Sequence, residues 1–375
     1  MRLFSVALRL FRLAGEAFFF LELNRLFGRF LHGTVHHRKT ALRLAESHLL
    51  SHVSAPCRTV TISLPSNLAI HTIIVGAAAT NPTNIGARPL VLLHGHSMGA
   101  ASFFRNLDHF IHMGFTSIFA PDLPGWASSS RPLFTGDVQD ALAFFLIPFY
   151  DWLSHFNLPS FTLAAHSLGA YLAHEYTVLH PKRVSRLILT APAAITRNTP
   201  LQIAMWFNFT PQRFLTRGGL FAHLIFATLY PSTKAYNLPG FRDFTLFSNS
   251  LMHSSGDAAA AAMIRITRTG LFSWQSECVR PLLERVSRLH CTVHIITGDD
   301  DCLVGVHAVR QLHTAMLAAG NHATIEVIPG ADHSPHICAP QLFAKAVMRS
   351  LSHFRSSHPY LQPSASVTSP FLFTS

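Results

Sequence analysis

The chain has 375 residues, a length that suits one large α/β domain with an insertion. Apolar residues make up 49% of it and charged residues only 13%, which is unusually apolar for a freely soluble protein. The formal net charge is +11, but no run of lysine and arginine, zinc-ligand spacing or RNA-binding aromatic motif accompanies it. We therefore expect this positive charge to bind an anionic membrane surface and not a nucleic acid.

Cysteine and histidine usage gives no sign of a metal site. The five cysteines are scattered and include no Cys-x-x-Cys pair, a pattern that disfavours a disulfide framework or zinc and is typical of a reducing compartment. The 25 histidines exceed what catalysis uses, and only His94 and His333 are singled out by their context. No metal and no organic cofactor is implied.

Residues 1–31 are predicted to form an amphipathic helix. At 100° per residue, charged side chains share one narrow face of its first half, and the polar stripe moves to the opposite side after Gly15. Charges interrupt every apolar run well short of the roughly 18 residues that a membrane span needs. Three interpretations stay open: an arginine-rich mitochondrial presequence, a helix in the membrane interface, and a helix that packs on the folded body. The basic sequence His36–Lys39 is predicted to be a hinge, which ends this targeting or membrane-interface unit at residue 40.

Between residues 41 and 193, strand and helix patterns alternate, which predicts the first part of an α/β core. Strands are predicted at Cys57–Leu64, Ala69–Val75 and Pro89–Leu93, from Ser117, from Phe161 and at Arg186–Thr190. Helices are predicted from the turn after Leu93 to about Met113, at Asp137–Phe156 and from Ser167 to about His180. The polar residues Ala77–Arg88 are predicted to form a surface loop.

One of these strands runs into its helix without a loop, at Ala165-His-Ser167-Leu-Gly169. Such a junction forces a sharp turn with strained backbone geometry and leaves the serine hydroxyl exposed at its tip. Ala165 and Gly169 are small, as the close approach of strand and helix requires. Ser167 is therefore the candidate nucleophile, to be activated by a base from elsewhere in the chain.

A glycine-bearing turn follows the buried strand Pro89–Leu93. Backbone N–H groups in such a turn are free to bind a tetrahedral oxyanion, whose charge develops only in the transition state. We predict the N–H groups of His96 and Leu168 as the two donors. His94 and Gly95, like Gly169 in the first turn, are expected to support this geometry.

The alternation of strands and helices stops between residues 194 and 289. Aromatic-rich, broken helical patterns replace it, at Phe207–Phe214, Leu220–Tyr230 and Phe241–Leu251. We interpret this region as an inserted helical cap, which excludes water from a site. Its many phenylalanines favour an acyl chain over a polar metabolite as the bound group.

The core pattern resumes at residues 290–355. Strands are predicted at Thr292–Ile296 and Ala323–Ile328, and a helix at Pro340–Ser352. Residues 356–375 are rich in serine and proline and are predicted to be disordered.

An acid and a histidine follow Ser167 in the order of a serine-hydrolase triad. His333, after the last predicted strand, would act as the general base, and an acid would hold its tautomer and stabilise the imidazolium. Asp301 is the first choice for that acid from its Gly-x-x-Asp spacing, with Asp300 second and Asp299 third.

Two other aspartates are interpreted differently. Asp332 adjoins His333, so its side chain is expected to point away from the imidazole. Asp122 precedes the candidate nucleophile in the chain and is interpreted as a residue that fixes a turn.

Together these motifs resemble the α/β-hydrolase superfamily. Within it they resemble the lipid-acting branch of N-acyl-phosphatidylethanolamine lipases, mitochondrial cardiolipin deacylases and the lipid-droplet co-activator of a triglyceride lipase. The resemblance covers about residues 45–350. The motifs that carry it are Leu92–Gly95, Asp122–Gly125, Ser130–Pro132, Ala165–Gly169, His180–Val184, His253–Asp257 and Gly330–His333. It implies a mostly parallel eight-stranded sheet flanked by helices, with a helical cap.

The chain departs from this branch at informative positions. Ala165 and Ala170 stand where the branch usually has glycine, and both are still small. The co-activator lacks a serine at the turn, whereas this chain has Ser167, which favours hydrolysis. Members linked to lysophosphatidate acylation carry an aspartate five residues after the histidine, where this chain has Cys338, and that disfavours acyl transfer by the same motif.

We therefore expect a serine hydrolase that cleaves acyl esters of phospholipids or lysophospholipids through an acyl-Ser167 intermediate. An anionic membrane surface, met by the N-terminal helix, is the expected partner. Three alternatives stay open: a lysophospholipid acyltransferase or transacylase, a membrane-bound interaction protein without turnover, and a soluble peptidase or small-ester hydrolase. The expected location is intracellular and membrane-associated, at mitochondria before endoplasmic reticulum or lipid droplets. No oligomeric state is predicted.

Overall fold

A computed structural model describes residues 35–158, 160–198, 212, 215–216, 238, 240–251, 253–269 and 274–357. Ten strands are defined there: β1 (Cys57–Ser63), β2 (Ala69–Gly76), β3 (Pro89–Leu93), β4 (Ser117–Pro121), β5 (Phe161–His166), β6 (Val184–Thr190), β7 (Ile264–Arg268), β8 (Trp274–Cys278), β9 (Thr292–Gly298) and β10 (Ala323–Ile328). Eight form one sheet in the order β1-β2-β4-β3-β5-β6-β9-β10. Strand β2 is antiparallel to both neighbours, and the pairs from β4 to β10 are parallel, which confirms the predicted fold class.

Helices cover both faces of this sheet. They are α1 (Val35–Leu50), α2 (Ala77–Thr80), α3 (Leu107–His112), α4 (Val138–His155), α5 (Leu168–Leu179), α6 (Phe241–Ser250), α7 (Ser255–Ala262), α8 (Val306–Ala318), α9 (Pro335–Cys338) and α10 (Pro340–Ser357). In β5, Leu163 and Ala165 belong to the core under α4, α5 and α8, whereas Ala164 belongs to the core under α1, α3 and α10. Every residue of β5 is buried, as expected for a central parallel strand covered on both sides.

The predicted hinge at His36–Lys39 is wrong. Helix α1 runs without interruption from Val35 to Leu50 and crosses the unit boundary that the sequence placed at residue 40. Leu42, Ala45 and Leu49 are buried on one side of it, so packing on the sheet extends the helix through the basic residues. The predicted helix at residues 1–31 lies outside the described residues.

Two predictions on the flanks of β3 are refined. The segment expected to be one helix up to Met113 is a 3₁₀ turn at Ala100–Phe103 followed by the short α3. Successive i→i+3 bonds, such as the one from the N–H of Ser102 to the carbonyl of Gly99, keep this turn tight against the sheet. The predicted loop Ala77–Arg88 begins with the four-residue helix α2.

The described residues of the cap region contain strands as well as helices. Helix α6 lies where the pattern Phe241–Leu251 indicated it, but β7 and β8 form an antiparallel hairpin that the sequence did not reveal. These strands have five residues each, and charged side chains at Arg265, Arg268 and Glu277 weaken their apolar alternation. Most of the patterns at Phe207–Phe214 and Leu220–Tyr230 lie outside the described residues.

Helix α10 ends at Ser357, so residues 356 and 357 are helical rather than part of the predicted disordered tail. The rest of that tail lies outside the described residues. Within the described ranges, no helix combines the length and the apolar character that crossing a bilayer requires.

Candidate active site

Ser167 stands at the junction of β5 and α5. Its backbone has φ +52° and ψ −116°, a conformation that residues with a side chain rarely adopt. The junction is tight, because a Cβ on Gly169 would lie 2.4 Å from the carbonyl oxygen of His94. Glycine is therefore required at this position for the helix to approach β3. The strained serine and the adjacent glycine together form the sharp turn that the sequence predicted.

The structure brings Ser167, His333 and Asp301 together. Nε2 of His333 lies 2.9 Å from Oγ of Ser167, and Nδ1 of His333 lies 3.0 Å from Oδ2 of Asp301. Ser167 and Asp301 are buried, with 7% and 4% of their surfaces exposed. Three residues far apart in the chain thus form one continuous chain of hydrogen bonds.

The other candidate acids have different surroundings. Asp299 accepts the backbone N–H of Gly330 at 2.6 Å, and Asp300 is exposed. Asp332 accepts the N–H of Ser334 at 2.8 Å. Asp301 is thus the carboxylate in contact with the His333 ring, the position that the sequence assigned to it first.

The carboxylate of Asp301 is held in its ionised form. Burial alone would raise its pKa, but the charge and hydrogen bond of His333 and the backbone N–H groups of Val304 and Leu303 outweigh burial and lower the pKa. Those two N–H groups donate to Oδ1 at 3.0 and 2.9 Å. An ionised carboxylate only accepts hydrogen bonds, so Nδ1 of His333 carries the proton and Nε2 presents its lone pair to the Ser167 hydroxyl.

The turn after β3 lies beside Ser167 because β3 and β5 are parallel neighbours, with Leu93 paired to Ala165. A Cβ on Gly95 would lie 3.1 Å from Cβ of Ser167. The turn that carries His96 and the start of α5 at Leu168 therefore leave the sheet side by side. That the N–H groups of these two residues bind an oxyanion stays a prediction.

His94 fixes the shape of this turn from beneath. Its ring is buried, its Nε2 accepts the N–H of Leu123 at 2.8 Å, and its Nδ1 is 2.8 Å from the carbonyl of Gly95. Since Nε2 accepts, the proton is on Nδ1 and donates to Gly95. Asp122 also has the turn-fixing contacts expected of it, accepting the N–H groups of Ala100 at 2.7 Å and Ser128 at 3.0 Å.

Two histidines that were not predicted as site residues lie next to the triad. The rings of His166 and His336 lie 4.5 Å apart, and Nε2 of His166 is 2.9 Å from the carbonyl of His333. Burial and then the charge of His333 lower the pKa of His336 to about 3. Burial, followed by the charges of His336 and His333, lowers the pKa of His166 well below its usual value. Both rings are therefore neutral at ordinary pH. The only available signal was their spacing, one residue before Ser167 and three after His333.

One group of described residues has the ligand types and spacing of a metal site: Glu46, His71 and Asp122, with ligand atoms within 4.8 Å of one another. These atoms are already engaged, since Nε2 of His71 is 3.0 Å from each oxygen of Glu46. We interpret the group as an ion-paired cluster that ties α1 to β2. An open groove of about 1180 Å³ runs beside it, and its lining does not include the triad.

Comparison with known proteins agrees with this geometry. A family model described as the Alpha/beta hydrolase family matches residues 90–346, which span the triad and both turns. The chain belongs to this family.

Similar proteins are named for lipid chemistry. This α/β hydrolase is 29% identical over 294 residues to a probable 1-acylglycerol-3-phosphate O-acyltransferase of Oryza sativa, covering 72% of the chain and 68% of the relative. A human 1-acylglycerol-3-phosphate O-acyltransferase is 26% identical over 82% of the chain and 88% of the relative. A human (lyso)-N-acylphosphatidylethanolamine lipase is 27% identical over 76% and 84%.

Solved structures share the fold at lower identity. The carboxylesterase CesB of Bacillus subtilis gives a TM-score of 0.62 at 16% identity, covering 84% of this chain and 99% of its own. A bacterial membrane phospholipase A gives a TM-score of 0.61 at 17% identity, covering 95% and 99%. These likenesses support the α/β-hydrolase fold.

Proposed function

We propose that this protein is a serine hydrolase that cleaves acyl esters of phospholipids or lysophospholipids. The observation that carries the proposal is the hydrogen-bonded series from Ser167 through His333 to Asp301, at 2.9 and 3.0 Å. A nucleophile in contact with a base, and a base oriented by an acid, are the elements of nucleophilic acyl transfer.

In the first half of the reaction, Oγ of Ser167 attacks the ester carbonyl while Nε2 of His333 takes the hydroxyl proton. The tetrahedral oxyanion accepts hydrogen bonds from the N–H groups of His96 and Leu168. Asp301, ionised and buried, stabilises the imidazolium without taking its proton. His333 then returns the proton to the departing alcohol oxygen, which leaves an acyl-Ser167 ester.

In the second half, water replaces the alcohol. His333 removes a proton from the water as its oxygen attacks the acyl-serine carbonyl, and the same two N–H groups bind the oxyanion. The acyl–oxygen bond to Ser167 breaks, His333 returns the proton to Oγ, and the fatty acid is released.

A lipid substrate is supported by composition and by the relatives. The relatives named above are an acylglycerol-phosphate acyltransferase and an N-acylphosphatidylethanolamine lipase, both of which act on lipids with a phosphate group. The chain contains 31 phenylalanines, and this composition favours an acyl chain over a polar metabolite as the bound group.

Acyl transfer to a lysophospholipid is the second candidate, favoured by the names of the plant and human relatives. It would use the same acyl-Ser167 intermediate, with a lipid hydroxyl in place of water. This chain has Cys338 at the position where the acylating members of the branch carry an aspartate. Burial raises the pKa of that thiol to about 12, so it is protonated and does not substitute for a carboxylate.

We further propose that residues 1–31 place the enzyme at an anionic membrane surface. Their arginine-rich amphipathic pattern is the support, since basic amphipathic helices bind anionic lipid. The proposed mitochondrial location, with cardiolipin as a candidate substrate, rests only on this pattern and on the resemblance to the branch that contains cardiolipin deacylases. Imaging a fluorescent fusion of residues 1–40 distinguishes mitochondria from endoplasmic reticulum and lipid droplets.

The proposal is tested with purified full-length protein on vesicles of phosphatidylethanolamine, phosphatidic acid or cardiolipin. We expect fatty-acid release and labelling of Ser167 by a fluorophosphonate probe, both absent in Ser167→Ala. Ser185→Ala, which removes an exposed hydroxyl at β6, is the matched control and should behave as the parent protein. Labelled lysophospholipid in the same assay reports acyl transfer. No fatty-acid release from any vesicle, together with no labelling, would leave the interaction-protein alternative.

A further inference from the structure

The cap holds the predicted oxyanion turn through a buried carboxylate. Asp257 lies in the first turn of α7 and is fully buried. Its Oδ1 accepts the indole N–H of Trp126 at 3.2 Å, and its Oδ2 accepts the backbone N–H of Gln212 at 2.9 Å. This side chain therefore connects the cap to the loop after β4.

The same carboxylate contacts His96. Nε2 of the His96 ring lies 2.9 Å from Oδ1 of Asp257, so the ring and the carboxylate are in direct polar contact. On its other side, Nδ1 of His96 is 3.0 Å from Oγ of Ser97. The side chain of the predicted oxyanion donor is thus placed between the cap and its own turn.

Close packing fixes the position of α7 at this contact. A Cβ on Gly125 would lie 2.2 Å from the backbone nitrogen of Gly256, and a Cβ on Gly256 would lie 2.7 Å from the Trp126 ring. Helix α6 adds a second attachment, since Nδ2 of Asn249 donates to the carbonyl of Ser97 at 2.8 Å. Both attachments meet the turn that carries His96, and both come from the cap.

A neutral side chain of the same shape would serve part of this arrangement. The N–H groups of Trp126 and Gln212 need only an acceptor, whereas burying a full negative charge is costly unless opposite charge compensates it. The Arg131 guanidinium supplies part of the compensation. Burial lowers the pKa of Arg131 to about 10, and the charges of Asp257 and Asp122 act against that shift. What the carboxylate adds beyond an acceptor is its attraction for Arg131, and the same oxygen that accepts from Trp126 also contacts the His96 ring.

We propose that Asp257 is a positioning residue that acts through His96. It fixes the turn after β3 so that the backbone N–H of His96 points at the oxyanion. Turnover therefore depends on α7 of the cap being packed against this turn. This inference rests on the proposed hydrolase function. The carboxylate touches neither the ester nor the triad in this scheme. Its effect is on the transition state, where the N–H group is used, and not on substrate binding.

The first test is Asp257→Asn, which keeps the size of the side chain and removes its charge. With a soluble short-chain ester such as p-nitrophenyl butyrate, we expect kcat to fall about 10- to 100-fold with KM nearly unchanged, less than the roughly 100- to 1000-fold loss on deleting one oxyanion donor. Ser185→Ala, the control at an exposed hydroxyl of β6, should leave kcat unchanged. A rise in KM with unchanged kcat would overturn the proposal.

A double-mutant cycle separates positioning from a general structural effect. His96→Gln should lower kcat by a similar factor, and Asp257→Asn should add little in the His96→Gln background, because the contact is already broken. If the two losses multiply, Asp257 does not act through His96 and the proposal fails. A thermal melt of each variant identifies loss of fold, and Asp257→Ser, which is smaller and still polar, is the substitute if Asp257→Asn does not fold.

Hydrogen exchange gives a readout that needs no activity. Asp257→Asn should raise deuterium uptake in a peptide covering residues 94–99 and leave the peptide covering β5 and the start of α5 unchanged. Unchanged uptake at residues 94–99 overturns the inference even if the enzyme is active. If the parent protein hydrolyses no ester but the exchange difference is present, the proposed function fails while the structural coupling stands.

Discussion

The serine turn and the cap contact hold the same site by different means. The serine turn is built from five consecutive residues, and backbone sterics fix it, as the required glycine at 169 and the strained φ of Ser167 show. The contact of Asp257 with His96 joins side chains 161 positions apart and belongs to a buried polar network. The position of the proposed nucleophile is therefore set by local sequence, whereas the proposed oxyanion site depends on contacts with the cap.

The largest expected effect comes from breaking the orientation of the base. Asp301→Asn should lower kcat by about 10⁴, because an amide also offers a donor toward Nδ1 and favours the wrong tautomer of His333. Measurement of kcat and of the rate of fluorophosphonate labelling tests this, with Asp300→Asn as the matched control at an exposed neighbour. A loss below about tenfold would contradict the assigned role of Asp301.

The second effect is on stability and depends on pH. Burial alone would lower the pKa of His71, but the hydrogen bond to Glu46 and the charge of Asp122 raise it to about 9. A raised pKa stabilises the folded state fully below the unfolded value near 6.5, and the contribution is lost as pH rises through about 9. At about 1.4 kcal/mol per pKa unit, the shift of His71 contributes up to about 3 kcal/mol, and the raised pKa of the buried Asp122 carboxyl offsets part of this within the cluster.

Glu46→Gln should therefore lower the melting temperature at pH 6.5 and have little effect at pH 10, measured by scanning calorimetry. An equal loss at both pH values would show that the Glu46 side chain stabilises by packing alone. Unlike the serine turn, this contact is a long-range attachment, because it joins α1 to β2.

The third effect tests the steric requirement for glycine at position 169 in the serine turn. Gly169→Ala places a methyl group 2.4 Å from the carbonyl oxygen of His94, and overpacking of this kind costs about 1–3 kcal/mol. We expect a lower melting temperature together with loss of fluorophosphonate labelling, because α5 moves away from β3. Gly330→Ala has open space around the position and reports the cost of a positive φ alone. Equal behaviour of the two variants would show that the close approach is not what the glycine provides.

The smallest effect is expected on the exposed surface of the cap. Arg265 and Glu277 form an ion pair across the hairpin at 3.1 Å, with 60% and 21% of their side chains exposed. Exposed pairs contribute about 0–1 kcal/mol, so Arg265→Ala should change the melting temperature by a degree or two at most and leave kcat unchanged. A larger change would mean that the hairpin, and not only α6 and α7, controls the seating of the cap.

The parts of this molecule that sequence predicted are those with a local signature. The strand-to-helix turn at Ser167, the buried strands of the sheet and the order of nucleophile, acid and histidine all follow from contiguous patterns. The choice of Asp301 over its two neighbours followed from the spacing after β9.

The parts that sequence missed are contacts between distant residues. Nothing near Asp257 marks it as a partner of His96, and nothing near His71 marks Glu46, because each pairing exists only once the chain is folded. The hairpin β7–β8 was missed because five-residue strands with charged positions lack a clear apolar alternation. The hinge prediction at His36–Lys39 failed because a run of basic residues does not stop a helix whose next turns are packed on a sheet.

The backbone of Ser167 has one more consequence. A side chain at φ +52° and ψ −116° raises the energy of the folded protein by about 1–3 kcal/mol, whereas glycine tolerates positive φ readily. A chain selected for thermal endurance alone would place glycine there. The serine at this turn thus lowers the stability of the fold in favour of its proposed role as nucleophile, and the dense packing around it offsets that loss of stability.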